Sequence, residues 1–162
     1  MKRIYLGLGT NLGDKKQNLM QAIEKLSLAL GNAISVSPFI ETEAWGFSSQ
    51  NSFLNCVVEF STAMEPHELL KTTEQIEIHL GRTNKSTSNG YSDRIIDIDI
   101  LLYADDIIES PTLSIPHPLM HKRLFVLEPM AQIAPQVIHP IHGKTIKQLL
   151  DDLIESNCAT EA

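Results

Sequence analysis

The sequence predicts an α+β fold, a two-layer sandwich in which helices cover an antiparallel sheet. Three observations carry that expectation. Apolar and alternating runs follow one another as strand, helix, two or three strands, helix, strands, helix, a mixed order that a doubly wound parallel sheet would not give. The chain contains no internal repeat. Its 162 residues, 43% hydrophobic, are enough to bury one sizeable core and too few for two ordinary domains, so residues 1–162 are expected to form a single domain.

The elements follow in order. Ile4 to Leu8 reads as a short buried strand, and Gly9 to Gly13 as a turn into a helix that starts at Asp14, a good N-cap residue, and runs to Leu30. Leu19, Ile23, Leu26 and Leu30 make its apolar stripe, and Gly31-Asn32 stops it. Ile34 to Ile40 alternates as a strand with Pro38 at an edge or bend. A loop over Glu41 to Ser52 leads to a strand from Phe53 to Phe60. Pro66 opens a second helix through Leu80, capped by Gly81. The polar stretch Thr83 to Asp93 has no periodicity and is expected to be a mobile loop. Arg94 to Tyr103 is a strand, turned at Ala104 to Asp106 toward a partner segment at Ile107 and Ile108. Leu119 to Ile133 is mostly helical with an interruption at Pro129, Thr145 to Ile154 is a last amphipathic helix, and the tail from Glu155 is expected to fray. The order as a whole suits the ferredoxin-like kind of sandwich.

Charge and composition narrow the function. Twenty acidic against thirteen basic residues give a net charge of −7, which argues against gathering nucleic acid or anionic lipid. The two cysteines, Cys56 and Cys158, support neither a disulfide framework nor a metal knuckle, and they fit a reducing cytoplasm. The opening Met1-Lys-Arg-Ile-Tyr-Leu-Gly is broken by glycines and does not read as a signal peptide, and no apolar run is long enough for a membrane helix. A soluble protein is expected.

The chemistry concentrates in Arg94-Ile-Ile-Asp-Ile-Asp-Ile-Leu-Leu-Tyr103. Side chains alternate along a strand, so Ile96, Ile98, Ile100 and Leu102 fall on a core face while Asp97 and Asp99 share the other, roughly 6 to 7 Å apart at their bases. Two like charges flanked by Ile95 and Leu101 are costly unless cations or donors neutralise them. Carboxylate oxygens suit Mg²⁺, which takes one or two protein carboxylates plus substrate phosphates, and the spacing could also bracket two metals. The plainer reading is a sheet face turned to solvent. Arg82, Lys85, Arg94, His117, Lys122 and Arg123 lie near the pair in sequence; singly each reads as a solvated charge, and together they resemble the equipment of phosphoryl transfer. His139 and His142, in His-Pro-Ile-His, have no matching third ligand and are assigned no site.

Six phrases in order, Gly7-Leu-Gly-Thr-Asn-Leu-Gly13, Phe53-Leu-Asn55, Leu80-Gly-Arg82, Arg94 to Leu102, Ile115-Pro-His-Pro118 and Arg123-Leu-Phe-Val-Leu-Glu-Pro129, together resemble the 6-hydroxymethyl-7,8-dihydropterin pyrophosphokinases of folate synthesis. The resemblance spans about residues 4 to 150. It implies an enzyme that moves the β,γ-diphosphate of ATP onto the hydroxymethyl group of a reduced pterin and releases AMP, acting as a monomer on small molecules without nucleic acid or membrane. It implies two Mg²⁺ ions on Asp97 and Asp99, with Arg82 and Arg94 joining them as catalytic residues. It places Thr42, Trp45, Phe53, Asn55, Tyr91 and Phe125 around the pterin. Toward ATP it places Arg82, Arg94, His117 and Arg123 near the phosphates, Ile100, Leu113 and Ser114 near the nucleoside, and Glu77 in the same region. Asn84, Glu74 and the Tyr91-Ser-Asp-Arg94 loop depart from the family's common residues.

Readings from other classes stand beside this one. A nucleotidyltransferase also joins a Gly-Thr turn to an Asp-x-Asp strand, but with the two close in sequence. A dinucleotide-binding module would need a different glycine spacing after the first strand. A non-catalytic nucleotide-binding module would carry the same ligands without turnover.

Overall fold

The computed structural model describes residues 1–42, 52–81 and 95–161, with side chains to residue 157. Strand β1 (Lys2–Thr10) is longer than its apolar run Ile4 to Leu8. It pairs antiparallel along its whole length with β4 (Phe53–Thr62), from Lys2 opposite Thr62 to Thr10 opposite Leu54. Gly9 and Thr10, expected in a turn, are therefore strand residues: the ladder to β4 takes up their backbone groups. Helix α1 (Lys15–Leu30) begins where expected, with Asp14 accepting the Gln17 N–H at 3.1 Å, and closes at Gly31, whose φ of +94° is the left-handed region a glycine adopts at little cost.

The stretch Ile34 to Ile40 is not one strand. It forms β2 (Ser35–Val36) and β3 (Ile40–Thr42), both on the outer edge of β4. Pro38 has no N–H for the ladder, and Ser37 bridges the break by accepting the Val57 N–H on its hydroxyl at 2.8 Å. Helix α2 (Pro66–His79) opens on its proline, and Gly81 follows its end at φ +109°. Strand β5 (Asp97–Tyr103) pairs antiparallel with the other edge of β1. The resulting strand order, β2-β4-β1-β5, is that of a ferredoxin-like split β-α-β arrangement.

Helices α1 and α2 cover one face of this sheet, as the expected sandwich requires, over Ile4, Leu6, Val58, Phe60, Ile98 and Ile100. The second face carries α3 (Leu124–Ile133) and α4 (Ile146–Glu161), packed on Tyr5, Val57, Leu101 and Leu102. Leu102 was expected on the first face. A bulge moves it: Leu6 lies opposite Ile100 and Tyr5 opposite Leu102, so Leu101 is an inserted residue and the alternation shifts there.

Smaller corrections concern the C-terminal half. Ile107 and Ile108 do not extend the β5 hairpin; β6 (Ile108–Glu109) pairs with β7 (Ser114–Ile115) in a separate two-stranded sheet. Helix α3 runs on through Pro129, and α4 continues to Glu161 where fraying was expected from Glu155. The loop Thr83 to Asp93 lies outside the described residues. On the α1/α2 side of β5, Ile96, Ile98 and Ile100 are each at most 6% exposed, and burial of such side chains contributes about 1.5–3 kcal/mol apiece. That packing anchors an edge strand whose opposite face carries two carboxylates.

Candidate active site

Asp97 lies across from Gly9 and Asp99 across from Gly7, so no β1 side chain stands beside either acid. On the far side of Gly9 stands Asn55 of β4. A Cβ at Gly9 would come within 2.8 Å of the Asn55 Oδ1, closer than any real contact. Asn55, Gly9 and Asp97 thus form one row across three strands, with the glycine leaving room for the amide. Sequence reasoning did not single out Gly7 and Gly9 as site residues. Their spacing of two inside a strand was the available signal, because it puts both on one face where something approaches the backbone closely.

Two cationic or polar groups from the segment after β7 face Asp99. The Arg123 Nη1 is 3.8 Å and the His117 Nε2 3.9 Å from its Oδ2. Burial, and then the Arg123 charge, push the His117 pKa down to about 4, so the imidazole is neutral at pH 7 and Arg123 is the positive partner of the acid. The His117 Nδ1 accepts the Leu119 N–H at 3.2 Å, which leaves the proton on Nε2, toward Asp99. The main chain fixes this placement, since the His117 N–H donates to the Leu101 carbonyl of β5 at 3.0 Å.

The residues expected around a pterin come together on the same face. Thr42 pairs with Phe53, and the Asn55 amide donates to the Thr42 hydroxyl at 3.0 Å. Asn55 is buried, and the Phe53 ring approaches the space above Gly9. Phe125 reaches the face from α3, its ring centroid 5.4 Å from the Arg123 guanidinium, a cation–π distance. Trp45 and Tyr91 lie outside the described residues.

The described residues expected toward ATP gather at the outer edge of β5. Ile100, Leu113, Ser114 and His117 line one cleft of about 300 Å³ together with Asp99. Leu70, Ile98, Ser110, Pro111, Thr112 and Pro118, not anticipated as site residues, complete its wall. Glu77 is buried at 5% exposure, and its carboxylate accepts the Ile98 N–H at 2.9 Å, between the two acids. Arg82 and Arg94 lie outside the described residues.

Asp97 and Asp99 are half-buried, and the Asp99 side chain is 33% exposed. Hard carboxylate oxygens on a half-open face fit Mg²⁺. Among the described residues no group of three or more His, Cys, Asp or Glu side chains is arranged to hold a metal. Two carboxylates would then be the protein's share, with phosphate oxygens and water supplying the rest.

An acidic pair set between a cleft and a cluster of a buried amide and half-buried aromatic rings suits a phosphate-transferring enzyme of α+β fold. The family model for 7,8-dihydro-6-hydroxymethylpterin-pyrophosphokinase (HPPK) matches residues 5–135. Relatives named 2-amino-4-hydroxy-6-hydroxymethyldihydropteridine pyrophosphokinase include one from Aquifex aeolicus, 42% identical over 91% of this chain and 90% of its own length. One from Porphyromonas gingivalis is 45% identical over 86% of this chain and 95% of its own. The chain belongs to this pyrophosphokinase family. Among solved structures, a Plasmodium falciparum HPPK-DHPS with pterin and p-hydroxybenzoate superposes with a TM-score of 0.76 at 17% identity, over 98% of this chain and 44% of that one, a likeness of fold.

Proposed function

We propose that the chain transfers the β,γ-diphosphate of ATP to the hydroxymethyl group of 6-hydroxymethyl-7,8-dihydropterin, releasing AMP, in folate synthesis. The observation that carries the reading is the position of Asp97 and Asp99 between the edge cleft and the neighbouring Thr42, Phe53 and Asn55. A phosphate chain running out of the cleft reaches the acids where a pterin alcohol arrives from the other side. The alcohol oxygen bonds to the β-phosphorus as the bond from that phosphorus to the α,β-bridging oxygen breaks, AMP leaves with that oxygen, and the hydroxyl proton passes to solvent.

Asp97 and Asp99 would hold two Mg²⁺ ions, which would supply charge neutralisation at the phosphate oxygens and make the alcohol a better nucleophile. Arg123, with Arg82 and Arg94, carries charge toward the phosphates, and positioning with charge neutralisation is most of what phosphoryl transfer requires. His117, neutral and protonated on Nε2, donates toward a phosphate oxygen or Asp99. Ile100, Leu113 and Ser114 bound the nucleoside. Asn55 offers the pterin's polar edge a donor and an acceptor, and Phe53 and Phe125 offer flat faces for its ring. On the same reading Trp45 and Tyr91 are assigned to the pterin.

On the same reading the protein acts as a monomer in the cytoplasm, where its two cysteines would stay reduced. Phosphorus NMR of a reaction with ATP, Mg²⁺ and the hydroxymethyl dihydropterin tests the reaction class. Diphosphorylated pterin with AMP is expected; free diphosphate would instead indicate nucleotidyl transfer.

A further inference from the structure

Strand β5 is the last strand of its sheet beyond β1, so the N–H groups on its far edge meet no further strand among the described residues. One of them, on Ile98, is the backbone donor between Asp97 and Asp99. It donates to the Glu77 Oε2 at 2.9 Å in a buried hydrogen bond from α2.

The Glu77 carboxylate sits in a constrained place. Burial strips its hydration, and position 77 is two residues from the end of α2 at His79, where the helix dipole is negative. A buried acid accepting a backbone N–H gives a charge-assisted bond, stronger and more directional than a neutral one. The Ile98 side chain is meanwhile locked in the core beneath α1 and α2. Packing and the Glu77 bond therefore fix, in two directions, the one residue that separates the acids.

We infer that Glu77 is a positioning residue: by holding the Ile98 amide it sets the placement of the Asp97 and Asp99 carboxylates for divalent metal, without itself needing to touch nucleotide. The inference rests on the metal reading given above. It separates acceptor geometry from charge, because Glu77→Gln retains an oxygen that can accept the Ile98 N–H whereas Glu77→Leu fills the space with no acceptor.

The test measures Mn²⁺ affinity by electron paramagnetic resonance in the presence of a non-hydrolysable ATP analogue. Glu77→Gln is expected to stay within about threefold of wild type, since the amide oxygen still accepts the Ile98 N–H in the same place, through a weaker neutral bond. Glu77→Leu is expected to weaken Mn²⁺ binding by about tenfold or more, the usual consequence of losing a group that orients a metal ligand. Nucleotide affinity without divalent ion is expected to match wild type in both. Wild-type Mn²⁺ affinity in Glu77→Leu overturns the inference, and so does equal weakening in both variants, which would make charge the agent. Asp97→Asn is measured alongside; unchanged Mn²⁺ affinity there removes the metal reading itself, and this inference with it. Should Glu77→Leu not fold, hydrogen exchange at the Ile98 amide decides: slow exchange in wild type and Glu77→Gln supports the bond, and an unprotected Ile98 amide in the folded wild type overturns it.

Discussion

The Arg123 guanidinium stands 3.8 Å from the Asp99 carboxylate and faces the Phe125 ring at 5.4 Å. One side chain thus joins the acidic pair to the aromatic side of the site. Arg123 offsets the charge of Asp99, and on the proposed reading its donors also serve the ATP phosphates. Arg123→Ala is expected to lower kcat/KM by roughly 100-fold, or about 3 kcal/mol of transition-state stabilisation. Steady-state kinetics check this, and Tm should change little, because the pair is partly exposed.

Gly9 is expected to govern the pterin side alone. A methyl group there meets the Asn55 Oδ1 at 2.8 Å and displaces the amide from its row with Asp97. Gly9→Ala should weaken pterin binding by about tenfold or more, as expected when a placed polar contact is lost. ATP affinity should stay near wild type. Fluorescence titration with each ligand separates the two effects.

Remote from that chemistry, the buried Glu59 collects donors from Arg3, Tyr5 and Ser35 at 3.0, 2.9 and 2.7 Å. Tyr5→Phe removes one of them, and burial together with Glu59 already raises the Tyr5 pKa, so the hydroxyl stays protonated and a donor through the neutral range. Urea unfolding should show a loss of about 1–2 kcal/mol. Activity should be retained.

Acid sensitivity is expected at His139. Its burial, with His142 and His121 close by, lowers its pKa to about 4, while the unfolded side chain titrates near 6.5. Between those values the unfolded chain binds more protons, so this residue's contribution to stability falls as pH drops from about 6.5 to about 4, by on the order of 3 kcal/mol. The Nδ1 of His139 also accepts the Ile141 and His142 N–H groups at 3.2 Å, so His139→Gln should be less stable than wild type at pH 7. The gap in Tm between the two should narrow as pH falls to 4.5; a constant gap contradicts the assignment.

Local chemistry was legible in the sequence where the chain itself supplied both partners. The Asp14 cap, the Pro66 start and the glycine after each of the first two helices stand where the residues indicated. The shared face of Asp97 and Asp99 followed from strand alternation. Leu102 escaped the same argument because a bulge inserts a residue, and alternation alone does not reveal where. The end of α4 escaped because polar residues past Glu155 show no apolar stripe yet stay helical. Glu77 was expected only in the region of the nucleotide, since its contact with Ile98 depends on α2 packing against an edge strand. The Gly9 and Asn55 row similarly joins residues that only the sheet register brings together.

The central claim, diphosphate transfer from ATP to a pterin alcohol through Asp97 and Asp99, is tested most directly with ATP labelled in its γ-phosphate. Wild-type protein with Mg²⁺ and the hydroxymethyl dihydropterin should move the label onto the pterin with one AMP formed per product. Folded Asp97→Asn and Asp99→Asn should lose that transfer by about a thousandfold or more. Label released as free phosphate or diphosphate, or a folded variant of near wild-type activity, would contradict the account.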